Sequence, residues 1–411
     1  MGQSDVHGPV VIIGGGQAGA WTAIELRERA PERPIVLIGE ESRPPYERPP
    51  LSKDVLAGKK ELESTFIREP DYYDQHGIRL ICGQRAIAVD RATRQVSLQN
   101  GERVGYSRLV LATGCRARVL PSVNTNHDAV HVLRSASDME AIRDKLRPGA
   151  KLVAIGAGFI GLEIAATAIG AGCDVTVIER EPCALPRVMD RDVAQSIIAI
   201  HEARGVRFHW SAEVASVAPA AQGVHVTLGD GVKLPADMVI MGVGATPNTE
   251  LAEAAGVECR DGILVDEFGR TSDPSIFAAG DVTNHYNALL KRRLRLESWQ
   301  NAQNQGIAVA RNLAGEDFAY GEVPWFWTDQ YDVNIQMIGA PESWDRVIWR
   351  GSGNDGKFTA IYMAGDRVVA GHTMNNARDI RFLRELIGRR VPVDPKAVGD
   401  VSVKLKTLME V

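Results

Sequence analysis

Two stretches of the chain repeat one hydrophobic pattern. Val10-Val11-Ile12-Ile13 is an unbroken apolar run that ends in Gly14-x-Gly16-x-x-Gly19. Alanine-rich helical spacing follows through Arg29, and a second apolar run, Ile35-Val36-Leu37-Ile38, ends at Gly39-Glu40. Leu152-Val153-Ala154-Ile155 runs in the same way into Gly156-x-Gly158-x-x-Gly161, and Val175-Thr176-Val177-Ile178 ends at Glu179. Short runs that are apolar at every position suit strands buried on both faces, so each stretch predicts a βαβ unit. Two further runs, Leu109-Val110-Leu111 before Ala112-Thr113-Gly114 and Met238-Val239-Ile240-Met241 before Gly242, predict strands that carry the chain between domains. A helix is expected over 297–314. From about residue 324 the pattern changes to alternation, at 333–338, 346–349 and 358–363, with a helix near 378–388, which predicts an antiparallel sheet.

These elements give an α/β fold class: two Rossmann-like dinucleotide-binding domains and a small α+β C-terminal domain. The expected boundaries are 1–115 with 245–323 for a discontinuous first domain, 116–244 for a second inserted into it, and 324–411 for the last. A length of 411 residues agrees with two or three domains at roughly 100 to 200 residues each.

Composition removes several function classes. With 47 basic and 52 acidic side chains the formal net charge is −5, which argues against a nucleic-acid binder acting through overall charge. Five cysteines (Cys82, Cys115, Cys173, Cys183, Cys259) lack CxxC or metal-ligand spacing, so no metal site is expected and a reducing, cytoplasmic compartment fits. The opening MGQSDVHGPV has no basic region followed by an apolar run. The longest membrane-like stretch, 152–173, is broken by Glu163 and five glycines, so no membrane partner is expected.

The glycines carry the chemistry. A pyrophosphate needs backbone N–H groups at close range and a helix N-terminus facing its charge, and an acid at the end of the following strand can accept from ribose hydroxyls. Glu40 and Glu179 stand 26 and 23 residues beyond the first glycines of their motifs. One such motif is a weak signal; two, each with strand, helix and terminal acid in register, point to two dinucleotides acting together. FAD with a nicotinamide cofactor is the economical pair, although spacing alone leaves open which cradle takes which. Glu179 would repel a 2′-phosphate and so favours NADH, while the adjacent Arg180 leaves NADPH open.

Beyond these patterns the chain resembles the NADH-dependent ferredoxin reductases of oxygenase systems, within the pyridine nucleotide-disulfide oxidoreductase superfamily. The matching segments are VVIIGGGQAG, RPPLSK, LVLATG, AIGAGFIGLE, GVGATPN, TSDPSIFAAGD, ESWQNAQNQG and PWFWTDQ, from about residue 10 to 330. The resemblance implies that FAD lies along Gly14, Gly16, Ala18 and Gly19, with Glu40 on its ribose. It implies further that Arg48, Lys53, Ala86, Thr113, Arg134, Asp281 and Trp299 line the rest. The nicotinamide nucleotide would occupy Gly156, Gly158, Ile160, Gly161, Glu179, Arg187 and Gly244, with Glu163 near its ring. Lys53 and Glu163 would meet where hydride is transferred and Trp327 would carry electrons outward, these three being the residues implied to be catalytic. A surface lysine, a helix-stabilising glutamate and a core tryptophan are the bland alternatives.

The disulfide reductases of this architecture carry a cysteine pair after the first βαβ unit. Here that stretch reads Tyr46-Glu47-Arg48-Pro49-Pro50-Leu51-Ser52-Lys53, without cysteine. A flavin here would have to pass electrons directly to an acceptor, and a one-electron [2Fe–2S] ferredoxin suits that. An acidic ferredoxin needs a local basic surface. Lys291, Arg292, Arg293 and Arg295 form one candidate cluster; Arg378, Arg381 and Arg384 form another, and either can equally be a solvated face. The ferredoxin would supply a cytochrome P450 or a Rieske-type dioxygenase. Alternatives are an NADH oxidase or rubredoxin reductase on the same fold, or a redox-responsive interaction protein of the apoptosis-inducing-factor kind.

Overall fold

The computed structural model describes residues 8–124, 126–186, 188–352 and 356–409. The chain divides into two compact units: Met1–Glu47, Glu63–Arg116 and Thr246–Pro324 form one, and Arg48–Leu62, Ala117–Ala245 and Trp325–Val411 form the other.

The first unit is built on a parallel sheet in the order Ile276–Ala278, Arg108–Leu111, Val10–Ile13, Ile35–Ile38, Ile78–Ile81. Val10–Ile13 and Ile35–Ile38 are buried at every position, as their unbroken apolar runs require. Strand alternation then sorts the side chains. Val10, Ile12, Leu37 and Val110 join one core with the Gln17–Arg29 and Trp299–Leu313 helices. Val11, Ile13, Val36, Leu109 and Leu111 join another with a three-stranded meander, Ala86–Asp90, Gln95–Leu98 and Arg103–Gly105. The two helices approach so closely that a Cβ on Gly306 would lie 2.5 Å from the Ala18 carbonyl oxygen.

The second unit repeats the parallel layout: Arg207–His209, Asp174–Ile178, Lys151–Ile155, Met238–Met241, Val130–Val132. The meander Val214–Pro219, Val224–Leu228, Lys233–Ala236 covers one face, burying Val224, Val226 and Leu228 against Val153, Ile155 and Val239. Residues 325–374 form an antiparallel sheet in the order Trp325–Gln330, Val333–Gly339, Arg367–Met374, Lys357–Ala364, Arg346–Ser352. The Ala377–Arg389 helix packs on it through Ile380, Leu383, Leu386 and Ile387.

The two meanders are among the elements that hydrophobic periodicity does not announce, because their first strands, Ala86–Asp90 and Val214–Pro219, mix exposed and half-buried positions without a clean alternation. The helix expected over 297–314 spans Trp299–Leu313, since Ser298 takes the N-cap and its hydroxyl accepts from the Asn301 N–H. Among the described residues no helix is long and apolar enough to cross a membrane.

Candidate functional site: two glycine cradles and a Lys–Glu pair

In the first cradle the three glycines answer three different demands. Gly14 has φ +123, and a Cβ there would lie 2.0 Å from the Ala112 carbonyl oxygen. A Cβ on Gly19 would lie 1.9 Å from the Gly14 oxygen. Both are therefore required by the protein's own packing. Gly16 is different: its backbone is extended, open to any residue, and a Cβ would meet nothing within 4 Å. Its glycine has no internal reason, and the space beside it faces the uncapped N-terminus of the Gln17–Arg29 helix, whose first N–H groups suit a phosphate.

The second cradle follows the same rule. Cβ atoms on Gly156 and Gly161 would lie 2.5 and 2.1 Å from the carbonyl oxygens of Gly242 and Gly156, while one on the extended Gly158 would make only an ordinary 3.6 Å contact. Ile160, in the first turn of the helix, keeps an exposed apolar side chain beside it, and Gly244 is exposed with φ +105. The residues of both cradles fit a dinucleotide pyrophosphate.

The two terminal acids differ. Glu40 is exposed, with Arg85 3.9 Å away. Glu179 is held: Oε2 accepts from the Ala157 N–H at 2.7 Å and Oε1 from the Glu181 N–H at 2.9 Å, which fixes a negative charge beside the glycine turn. Arg180 turns to Glu181 at 3.1 Å. Arg187 lies outside the described residues.

Lys53 and Glu163 meet within the second unit, Nζ to Oε2 at 2.8 Å. Glu163 projects from the Phe159–Gly170 helix and is 3% exposed, so its carboxylate needs donors. It has three: Lys53, the Ser52 hydroxyl, and the Thr328 hydroxyl at 2.6 Å on Oε1. The Pro49–Ser52 turn is pre-set by its prolines, and its end is tied to the same helix by the Thr167 hydroxyl, which donates to the Ser52 carbonyl at 2.8 Å. Lys53 also donates to the Pro49 carbonyl at 3.2 Å. Thr328 comes from the Trp325–Gln330 strand, whose alternation puts Thr328 and Gln330 on the buried face and Trp325 and Trp327 on the other. Ser52 and Thr328 are members of the site that sequence reasoning missed. Each lies in a segment already singled out, but nothing in a sequence says that a threonine from residue 328 reaches a helix at 163.

The pyridine nucleotide-disulphide oxidoreductase family model matches residues 8–306, and a reductase C-terminal model matches residues 325–409. The chain belongs to the pyridine nucleotide-disulphide oxidoreductase family. It is 41% identical over 402 residues to the ferredoxin–NAD(+) reductase component of the anthranilate 1,2-dioxygenase system of Burkholderia cepacia, covering 98% of this chain and 99% of that protein. It is 40% identical to putidaredoxin reductase of Pseudomonas putida, covering 97% and 96%. Among solved structures, the covalent putidaredoxin reductase–putidaredoxin complex matches with TM-score 0.95 at 40% identity, covering 98% of each chain. Membership makes this chain an oxidoreductase.

The other residues implied by the family resemblance are distributed as follows. Thr113 is tied to the GVGATPN segment in both directions, its hydroxyl donating to the Asn248 carbonyl at 2.7 Å and the Asn248 amide to the Thr113 carbonyl at 2.9 Å. Asp281 follows Gly280, where φ is +85 and a Cβ would lie 2.8 Å from that of Ala18, so this turn abuts the first cradle. Trp299 opens its helix and hydrogen-bonds Glu47, whose carboxyl is pushed up by burial and drawn back in part by that bond. Ala86 begins the first meander. Arg48 and Arg134 lie in the second unit, where Arg48 donates to the Arg134 carbonyl.

Trp327 stacks on Trp325 with ring centres 5.1 Å apart and planes 17° apart, and its indole N–H donates to Asp329 at 3.1 Å. The two basic clusters are unequal. Arg295 is ion-paired to Asp261 and Glu297, and Arg293 donates to the carbonyls of Val265 and Asn284, so much of that cluster is neutralised or spent on the fold. Lys291 is exposed. Arg378 and Arg381 are exposed on the outer face of the last long helix, with Arg384 half-buried one turn on. The family's name refers to a disulfide, yet all five cysteines here are free, and burial pushes the Cys82 thiol up, away from reactivity.

Proposed function

We propose that this chain is an FAD-dependent NADH:ferredoxin reductase that passes electrons to a [2Fe–2S] ferredoxin serving a cytochrome P450 or a Rieske-type dioxygenase. The observation that carries the cofactor reading is the pair of middle glycines, Gly16 and Gly158, kept where the protein's own packing does not require them. The partner reading is supported by relatives named for ferredoxin reduction in a dioxygenase system, and by the match to a reductase joined to its putidaredoxin.

Gly14, Gly16, Ala18 and Gly19 would hold the FAD pyrophosphate and Glu40 its ribose, with Ala86, Thr113, Asp281 and Trp299 in the same unit and Arg48, Lys53 and Arg134 completing the set. Gly156, Gly158, Ile160, Gly161 and Gly244 would hold NADH, with Arg187. Glu179 would take the ribose hydroxyls, and its fixed charge disfavours a 2′-phosphate. When bound, the flavin accepts a hydride and releases electrons one at a time. The chain's own contribution is positioning: Glu163, held by Lys53, Ser52 and Thr328, orients the nicotinamide carboxamide, and Lys53 supplies fixed positive charge. Trp327 is assigned to the electron route. Of the basic clusters, Arg378, Arg381 and Arg384 are the better docking candidates, because among the described residues none of the three has an ion-pair partner, whereas Arg295 has two.

The test is stopped-flow reduction by NADH, followed by turnover with a panel of ferredoxins coupled to cytochrome c. Flavin bleaching followed by ferredoxin-dependent cytochrome c reduction is expected. Bleaching without it would remove the ferredoxin and leave the two cofactors.

A further inference from the structure

Behind Thr328 the structure continues into a buried polar line that the reaction proposed above does not use. Thr328 and Gln330 share one face of their strand, and His201 comes from the Arg191–Ala203 helix; they are 0%, 2% and 0% exposed. Gln330 Nε2 is 3.2 Å from Thr328 Oγ1, His201 Nε2 is 2.7 Å from Gln330 Oε1, and the Tyr331 hydroxyl is 3.0 Å from His201 Nδ1.

We propose that Tyr331, His201, Gln330 and Thr328 form a one-way line of hydrogen bonds that holds the Glu163 carboxylate in place against Lys53, which makes Thr328, Gln330 and His201 positioning residues for hydride transfer. The inference rests on the NADH reading of the preceding section.

The direction of the line follows from its last member. With Lys53, Ser52 and Thr328 all donating, both oxygens of Glu163 act as acceptors, and Thr328 spends its single hydroxyl proton there. The Thr328 oxygen must then accept from the Gln330 amide, which turns the Gln330 carbonyl towards His201. That carbonyl needs a proton on His201 Nε2. Burial lowers His201 to about 4, so the ring is neutral and Nδ1 is left to accept from Tyr331. Every donor therefore points towards Glu163. A side-chain amide in the middle cannot pass a proton on without leaving its stable form, so the line orients and does not conduct.

The outer end is anchored as well. Tyr331 has φ +58, a left-handed conformation that a bulky side chain adopts only under constraint. The Arg204 guanidinium lies over its ring at 4.5 Å and is itself paired with Asp332 at 2.7 Å.

The test compares Thr328→Val, which keeps the shape and loses the hydroxyl, with Thr328→Ser, which keeps the hydroxyl. In the flavin-loaded protein, Thr328→Val should slow flavin bleaching at saturating NADH by about tenfold, the scale expected for one hydrogen bond to a charged group. NADH affinity should stay near wild type, and Thr328→Ser should recover most of the rate. Nitrogen-15 NMR of the wild-type protein should find His201 neutral with its proton on Nε2. A Thr328→Val protein that bleaches at the wild-type rate overturns the inference, as does a proton on Nδ1 of His201. If Thr328→Val does not fold, a slow Thr328→Ser overturns it equally. A wild-type protein that takes up FAD but is not bleached by NADH overturns the proposed function, a result distinct from either of these.

Discussion

At Gly16 and Gly19 the same residue type does opposite jobs, and one substitution at each separates them. Gly19→Ala places a methyl against the Gly14 carbonyl, so the turn must open and the protein should lose stability and FAD together. The Cβ of a Gly16→Val side chain would meet no protein atom within 4 Å and the backbone there asks for no unusual conformation, so the fold should survive while the branched side chain fills the space proposed for the pyrophosphate. Thermal denaturation together with flavin content after purification reads both. A Gly16→Val protein with full flavin would mean that the cradle is a structural turn. Glu163 shows the other limit at this scale: a lone acid in an apolar helix is a conspicuous residue, but its identity does not name the three donors that make its burial tolerable.

At the scale of elements, the contact that shapes the first cradle is the crossing of the Gln17–Arg29 and Trp299–Leu313 helices. Gly306 sits where a Cβ would press on the Ala18 carbonyl at 2.5 Å and on the Thr22 hydroxyl at 3.1 Å. Thr22 bonds both the Ala18 and the Gly306 carbonyls, at 2.8 and 3.2 Å, so the crossing has little freedom to adjust. Gly306→Ala should therefore cost roughly 1 to 3 kcal/mol, the range for overpacking a tight contact. It should also weaken FAD retention, because Ala18 moves with the helix that carries the cradle. Chemical denaturation of the flavin-loaded protein measures the first, and flavin release on dilution the second. Wild-type values for both would show that the helices part without disturbing the turn.

Across the whole molecule, three buried histidines contribute to the response to acid. Burial lowers His201 and His285 to about 4 and His372 to about 3, from an ordinary value of 6.5. The unfolded chain takes up protons below pH 6.5 that the folded chain refuses, so stability is fully present above that value and falls as pH drops towards 4. Each histidine contributes about 1.4 kcal/mol of loss per pH unit in that window. His285 offers the clean variant, because neither of its ring nitrogens has a hydrogen-bond partner among the described residues. His285→Phe should leave stability at pH 7.5 unchanged or higher and flatten the fall below pH 6. Melting temperatures from pH 4 to 8 test this, and an unchanged slope would show that His285 titrates normally.

The three central strands of the first parallel sheet, three strands of the second and both glycine turns were legible in the chain itself, because unbroken apolar runs, glycines at fixed offsets and a terminal acid are local signals that depend on residues within about 30 positions, whereas Ile78–Ile81, Ile276–Ala278, Val130–Val132 and Arg207–His209 were not. The antiparallel C-terminal sheet was legible too, from alternation in its longer strands. Tertiary structure decided what joins distant segments: that Arg48–Leu62 packs in the second unit, that Thr328 and Ser52 close on Glu163, and that Arg295 is spent on Asp261 and Glu297 while Arg378 and Arg381 stay exposed. The physical reason is that backbone geometry repeats over a few residues and leaves a periodic trace, whereas a hydrogen bond between residues 163 and 328 depends only on where two elements meet and leaves no trace in either segment.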